Sequence, residues 1–492
     1  MNQISPFHLP FLSLRKTFER AIERARKQDR VILASASFAI DPLDPLRLLE
    51  GWDDGETPFF YWEGRDPDLT FLAWGCTLDL KAWGEQRFTQ IGDRWRALCE
   101  DAVVEGPRSP FLCGGFRFDP SGPRDGHWQT FDDASMMVAN VTVLRQGEDH
   151  QILCQHLVSD ADDPIALAAH YTATLLRLHR LPRSLPQALP QTLPQGPTPP
   201  PISEQRAPGE TVPLLQDRED ADRLGWEEKV EDAVRHIRAG HFEKVVLARA
   251  QVQATGEVAP WHVIGHLRQH QGDTHLFACR RGHFCFLGST PERLASLGNG
   301  HLRTHALAGT IARGTSPAED TQLGQALLDS SKDRHEHSLV VDAVRTALRP
   351  LCRDLEIPGE PVLKRLPRVQ HLNTTVRGRP LDGVGLMDLL QALHPTPAVG
   401  GHPRVEAMEY IRQHENLDRG WYAAPVGWLD GAGDGDFLVA LRSALVGKGE
   451  GRLFAGCGLV GESHPAHEYR ETRMKVRTMD MALRTLGATA PV

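Results

Sequence analysis

Glu468 and Glu471 stand three residues apart near the C-terminus, and Lys475 follows four residues after Glu471. On a helix all three share one face. The same spacing is common on a solvated helix, where acids near the start complement the dipole and Glu pairs with a later Lys. The preceding residues change the reading. Phe454-Ala455-Gly456-Cys457-Gly458-Leu459-Val460-Gly461 reads as a strand running into that helix with three glycines at the junction. Glycines there let backbone N–H groups approach an anion closely. Two carboxylates beside such a nest suggest a hard cation bridging to an anionic ligand. A further carboxylate, Glu336, lies in Asp333-Arg334-His335-Glu336-His337. The run lacks the H-E-x-x-H spacing of zinc sites, and its two histidines fall on different helix faces. It reads either as a solvated charged turn or as the seat of a carboxylate ligand for Mg²⁺.

Three more residues carry chemistry. The segment from Phe437 to Val446 reads as a strand on which Ala440, Arg442 and Ala444 share one side. An Arg between two alanines has room for a planar anion, and its guanidinium suits a carboxylate, although an edge-strand arginine is the plain alternative. Lys244 opens the apolar run Lys-Val-Val-Leu-Ala. It is either a strand-end lysine or, in a buried strand, a desolvated amine suited to general-base work. Glu292 follows Gly288-Ser289-Thr290-Pro291, a turn after a buried strand. A carboxyl fixed there can act as a general acid if burial raises its proton affinity. Together these residues supply a base, an acid, three acids for a metal, and an Arg and a Lys for carboxylates.

The elements that position them fall in the C-terminal part. Residues 181–213 carry Pro at about every third or fourth position and read as an extended connector. They separate an N-terminal scaffold segment, 1–180, from a catalytic segment, 214–492. In the first, Val31 to Phe38, Val138 to Leu144 and Gln151 to Leu157 read as strands of a scaffold that completes sheets, with no chemical constellation. In the second, strands are expected at Lys244 to Val252, His283 to Leu287, Leu302 to Leu307, Trp421 to Leu429, Phe437 to Val446 and Arg452 to Val460. The glycines at 431–436 mark a hairpin. Helices are expected at Trp226 to Ala239, Asp320 to Leu348 and Pro465 to Leu486. Strands and helices do not alternate strictly, which argues for an α+β fold of large, mostly antiparallel sheets. No G-x-G-x-x-G follows a strand and no P-loop is present.

The whole chain bounds the function further. Its 492 residues, 40% apolar and 24% charged, allow two domains or one large layered domain. A net charge of -9 disfavours nucleic acid or an anionic membrane as partner. No apolar run is long enough to span a bilayer, and the N-terminus has no signal-peptide core, so the expected compartment is the cytoplasm. Cys76, Cys99, Cys113, Cys154, Cys279, Cys285, Cys352 and Cys457 form no C-x-x-C pair and read as small hydrophobes in a reducing compartment. No self-complementary segment is visible, so a monomer is expected.

The C-terminal segment resembles the chorismate-utilising enzymes, which comprise isochorismate, anthranilate, aminodeoxychorismate and salicylate synthases. The matching stretches, in order, are residues 244–249, 288–294, 306–310, 332–337, 369–372 (Val-Gln-His-Leu), 394–398 (His-Pro-Thr-Pro-Ala), 441–444 (Leu-Arg-Ser-Ala), 454–460 and 468–472 (Glu-Tyr-Arg-Glu-Thr). The resemblance implies two orthogonally packed, mostly antiparallel β-sheets with helices outside, and a site that holds chorismate through Mg²⁺. It implies Glu336 and Glu471 as metal ligands with Glu468 nearby. It implies Arg442, Tyr422, the backbone at Gly456 and Gly458, and Lys475 as contacts to the substrate carboxylates, and Gly309, Thr310, His337 and Ala398 as further walls. Within the family, the water-using members carry Lys at position 244, whereas the anthranilate branch usually has Gln. Ala308 stands where covalent aminodeoxychorismate synthases place a nucleophilic Lys. The resemblance therefore points to an isochorismate synthase serving menaquinone or siderophore formation, with Lys244 as base, Glu292 as acid and no glutaminase partner. A salicylate synthase, which eliminates pyruvate from the same intermediate, is the alternative, and an ammonia-using synthase is a more distant one. Ala424, where many relatives have Gly, is one departure from the pattern.

Overall fold

The computed structural model describes residues 8–66, 68–179, 213–272, 274–365 and 369–487. All but the final residue of the Pro-rich connector lies outside these residues. The strands form two sheets, one of twelve strands and one of ten. Pairing is antiparallel throughout except where Ile32–Ala39 runs beside Val103–Glu105. The N-terminal strands extend both sheets. In the larger sheet Phe59–Glu63 pairs with His275–Arg281, and in the smaller one Phe111–Phe116 pairs with Pro425–Asp430.

The strand Phe-Phe-Tyr-Trp-Glu shows why the chain folds in layers. Its side chains alternate between faces, and both faces are covered, so Phe59 to Trp62 are apolar without a break. Phe60 and Trp62 join a core shared by the two sheets. Phe59 and Tyr61 point the other way, into a second core roofed by helices His8–Gln28, Pro45–Trp52, Pro164–His179, Pro260–His270 and Pro465–Gly487.

Several expected elements divide where the chain passes from one sheet to the other. The strand expected from Phe437 to Val446 is two strands, Gly435–Val439 in the smaller sheet and Ser443–Gly447 in the larger. Between them Arg442 adopts φ +48°, so the alternation that put it on a face with Ala440 and Ala444 does not apply. The run from Val138 to Leu144 likewise splits into Ala134–Val138 and Val141–Gln146, one in each sheet. The strand expected from Trp421 begins only at Pro425, because residues 421–424 turn and Ala423 has φ +59°. The helix expected from Asp320 to Leu348 is two, Pro317–Asp329 and Ser331–Leu348. Ser330 caps the second by accepting the backbone N–H of Asp333 at 3.2 Å, which stops the first and re-aims the chain. The hairpin over 431–436 is present, joining Pro425–Asp430 to Gly435–Val439.

Candidate active site

A cavity of about 250 Å³ opens on the same side as the last helix. Lys244 enters it from the first position of strand Lys244–Ala254, which pairs with Glu450–Leu459. The side chain is 2% exposed, and its Nζ donates to Glu336 Oε1 at 2.7 Å. Gly456 and Gly458 lie inside the opposing strand rather than at the strand–helix junction, and both line the cavity. Neither position leaves room for a side chain. A Cβ on Gly458 would lie 2.9 Å from Lys244 Cε, and one on Gly456 would lie 3.3 Å from the Tyr422 hydroxyl. Tyr422 stacks on Phe454 with centroids 5.2 Å apart, and burial pushes its phenol well above the usual range.

Glu292 and Arg442 sit at two neighbouring crossovers between the sheets. Glu292 joins Phe284–Thr290 in the larger sheet to Arg293–Gly298 in the smaller. Arg442 makes the return crossing. Hydrogen bonds lace the two together. Val439 N–H donates to Glu292 O at 3.0 Å, Ser289 N–H donates to Arg442 O at 3.1 Å, and Thr290 Oγ1 donates to Val439 O at 2.7 Å. Backbone that must leave one sheet for another has no ladder partner of its own, and these bonds satisfy it. Burial raises the Glu292 carboxyl to about 7, against the opposing charges of Lys364, Lys244, Lys475 and Arg442. A protonated carboxyl near neutral pH is a proton donor. The Arg442 guanidinium lines the cavity without a hydrogen bond or ion pair to any described side chain, which leaves its fork for a ligand carboxylate.

The three remaining carboxylates come from two helices. Glu336 is on Ser331–Leu348, and Glu468 and Glu471 are on Pro465–Gly487. All three line the cavity. Burial, then repulsion from Glu471, raises the Glu468 carboxyl. Burial also opposes charge on Glu471, but the Lys475 ammonium, 2.6 Å away, holds its carboxyl below the usual range. Lys475 also donates to Gly456 O at 2.8 Å. In this arrangement each of Glu336 and Glu471 is held by a lysine, and the oxygens of the three acids do not converge within 4.8 Å. An all-oxygen donor set, partly buried and mutually repelling, nevertheless suits a hard divalent cation such as Mg²⁺.

Gly309 lines the cavity at φ +75°, where the strand His301–Ala312 shifts register, and Thr310 beside it shares a hydrogen bond of 2.9 Å with His371 Nδ1. Ala398 forms another wall. His337 is placed elsewhere. Its Nε2 meets Thr374 Oγ1 at 2.8 Å in a separate hollow, next to Arg334 and Ser338. The sequence reading assigned no role to His371, Lys364 or the pair Glu415–Arg419. His371 lies in the Val-Gln-His-Leu stretch, so a signal was present. Lys364 had none, as one lysine in a short polar strand. Its Nζ donates to Pro291 O at 2.6 Å, directly behind Glu292. Glu415 Oε2 accepts from Ala248 N–H at 2.7 Å, and Arg419 donates to Val246 O at 2.7 Å and Val399 O at 2.9 Å. This buried pair fixes the strand of Lys244 against the loop of Ala398.

Known proteins bear on this geometry. The family described as "Chorismate binding enzyme" matches residues 20–484. The salicylate biosynthesis isochorismate synthase of Pseudomonas aeruginosa is 56% identical over 99% of this chain and 98% of its own length. The isochorismate synthase MenF of Bacillus subtilis is 30% identical over 96% and 98%. Among solved structures, the menaquinone-specific isochorismate synthase MenF of Escherichia coli superimposes with a TM-score of 0.72 at 26% identity, over 95% of this chain and all of that one. Anthranilate synthase component I of Streptococcus pneumoniae shares the fold at a TM-score of 0.61. With its two mostly antiparallel sheets, its cavity between carboxylate-bearing helices and a match along almost its whole length, the chain belongs to the family of chorismate-binding enzymes.

Proposed function

We propose that the protein is an isochorismate synthase, which interconverts chorismate and isochorismate. The observation that carries this reading is the pairing, in one cavity, of a buried lysine with a buried carboxyl raised to about 7. Addition of water at one ring carbon with loss of hydroxide at another needs one base and one acid. Lys244 takes a proton from water as the water oxygen bonds to carbon 2 of the ring. The ring double bonds shift, the carbon 4–oxygen bond breaks, and Glu292 gives its proton to the departing hydroxyl, which leaves as water. Arg442, Lys475 and Tyr422 hold the substrate carboxylates and so fix the ring between base and acid. Glu336 and Glu471, with Glu468, would hold Mg²⁺, which when bound neutralises the ring carboxylate.

The isochorismate synthases named above support the water-using branch. The Pseudomonas aeruginosa protein is named for salicylate biosynthesis, and this favours a product consumed by a pyruvate-eliminating step over menaquinone supply. The test is an end-product assay with chorismate and Mg²⁺, with and without an ammonium salt. Isochorismate in equilibrium with chorismate is expected, and it should be lost with EDTA and in Lys244→Ala. Salicylate and pyruvate as the products of this protein alone would move it to the lyase activity, and an aminated product formed only with ammonium would overturn the role given to Lys244.

A further inference from the structure

Outside the cavity, helices Pro213–Arg238 and Arg404–His414 meet at a cluster of metal-ligating side chains. Asp232 and His236 are one turn apart on the first helix, and His414 ends the second. One ring nitrogen from each histidine and one carboxylate oxygen of Asp232 all lie within 4.8 Å of one another. From these residues we infer a second cation site, for a borderline transition metal such as Zn²⁺, bridging the two helices. Two imidazoles and one carboxylate are a Zn²⁺ donor set, with water or another ligand completing the shell, and differ from the all-oxygen set of the cavity.

The surroundings are those of held ligands. His236 Nδ1 donates to the Asp232 backbone carbonyl at 2.9 Å. The contact holds the ring beside the carboxylate, with Nδ1 3.5 Å from Asp232 Oδ2. Tyr410 Oη donates to Asp232 Oδ2 at 2.7 Å, and Arg235 pairs with Oδ1 at 2.7 Å. The His414 ring stacks on Tyr410 with centroids 4.2 Å apart, which limits its rotation. The exposed His241 ring lies 5.4 Å from that of His236, outside the three converging donors.

The position has a consequence. His241 is three residues before Lys244, and His414 is followed by Glu415, which accepts from Ala248 N–H. A cation here ties together the two chain segments that lead into the strand of the catalytic lysine.

Calorimetry with Zn²⁺ on the full-length protein in excess Mg²⁺ tests the site. One equivalent is expected, weakened at least about tenfold by His236→Ala and by His414→Ala and unchanged in Glu471→Gln. Both histidines are about a third exposed, so the substitutions should leave the far-ultraviolet spectrum and chorismate turnover in Mg²⁺ intact. Zn²⁺ should raise the Tm of the parent protein but not of the double variant. Absence of Zn²⁺ binding, or binding that both histidine variants retain, would overturn the inference.

Discussion

Glu292 is where the environment of one residue decides most. Its carboxyl lies in a wall that is buried yet ringed by cations, and burial wins, lifting it to about 7. The acid is then available below that value, so turnover should fall as pH rises through about 7. Glu292→Gln should lower kcat by about 10²–10⁴-fold, measured by the chorismate assay. The same shift has a stability sign. The folded-state value lies above the ordinary 4.5, so the contribution of this group is full below about pH 4.5 and lost as pH rises through about 7. Glu292→Gln should therefore melt higher than the parent at about pH 8 and about equally at pH 4. Lys364 is the foremost of the charges that lower the Glu292 carboxyl. Lys364→Met should move the high-pH limb of the rate profile upward, and a limb that stays in place would show that Lys364 serves only the Pro291 turn.

Among the elements, the glycines of strand Glu450–Leu459 and the capped start of helix Ser331–Leu348 together place Lys244 against Glu336. Gly458→Ala puts a methyl 2.9 Å from Lys244 Cε and 3.4 Å from its Nζ. The lysine must shift, and misplacing a reacting group by about 1 Å can cost on the order of 100-fold in rate. The expected result is a large fall in kcat with circular dichroism and quaternary state unchanged. The crossovers at 290–293 and 440–442 are the other decisive elements. There the chain gives up sheet pairing, and the carbonyl and amide bonds between Glu292, Val439, Ser289 and Arg442 hold acid and arginine in fixed relation.

For the molecule as a whole, both sheets run without interruption through N- and C-terminal strands, and one core contains residues of both halves. Removing residues 1–212 would expose the edge of His275–Arg281 and that of Pro425–Asp430, both now paired. Unpaired apolar edges aggregate. Residues 213–492 expressed alone should elute as aggregates in size-exclusion chromatography and bind no chorismate, whereas a soluble, active fragment would show that the N-terminal strands are dispensable. No helix among the described residues is long and apolar enough to cross a membrane.

The family, the antiparallel α+β class and many residues of the cavity were legible in the sequence because they depend on local features, although His337 falls outside the cavity and His371 and Arg419 line it unassigned. Glu468, Glu471 and Lys475 share a face through helical spacing alone, and Lys244 is recognisable as the charged end of an apolar run. The motif order along residues 244–472 then tied these separate signals into one family. The tertiary structure alone decided the rest. A strand crossing between sheets has the same apolar composition as one that stays, so the breaks at Arg442 and near Asn140 left no pattern to read. The glycines at 456 and 458 read only as a place for an anion to approach, because their spacing cannot show that a side chain there would also meet Lys244 Cε or the Tyr422 hydroxyl. Lys364 and the Glu415–Arg419 pair were invisible because their partners are 73 and about 170 positions away in the chain, and only the folded sheets bring them behind the acid and the base.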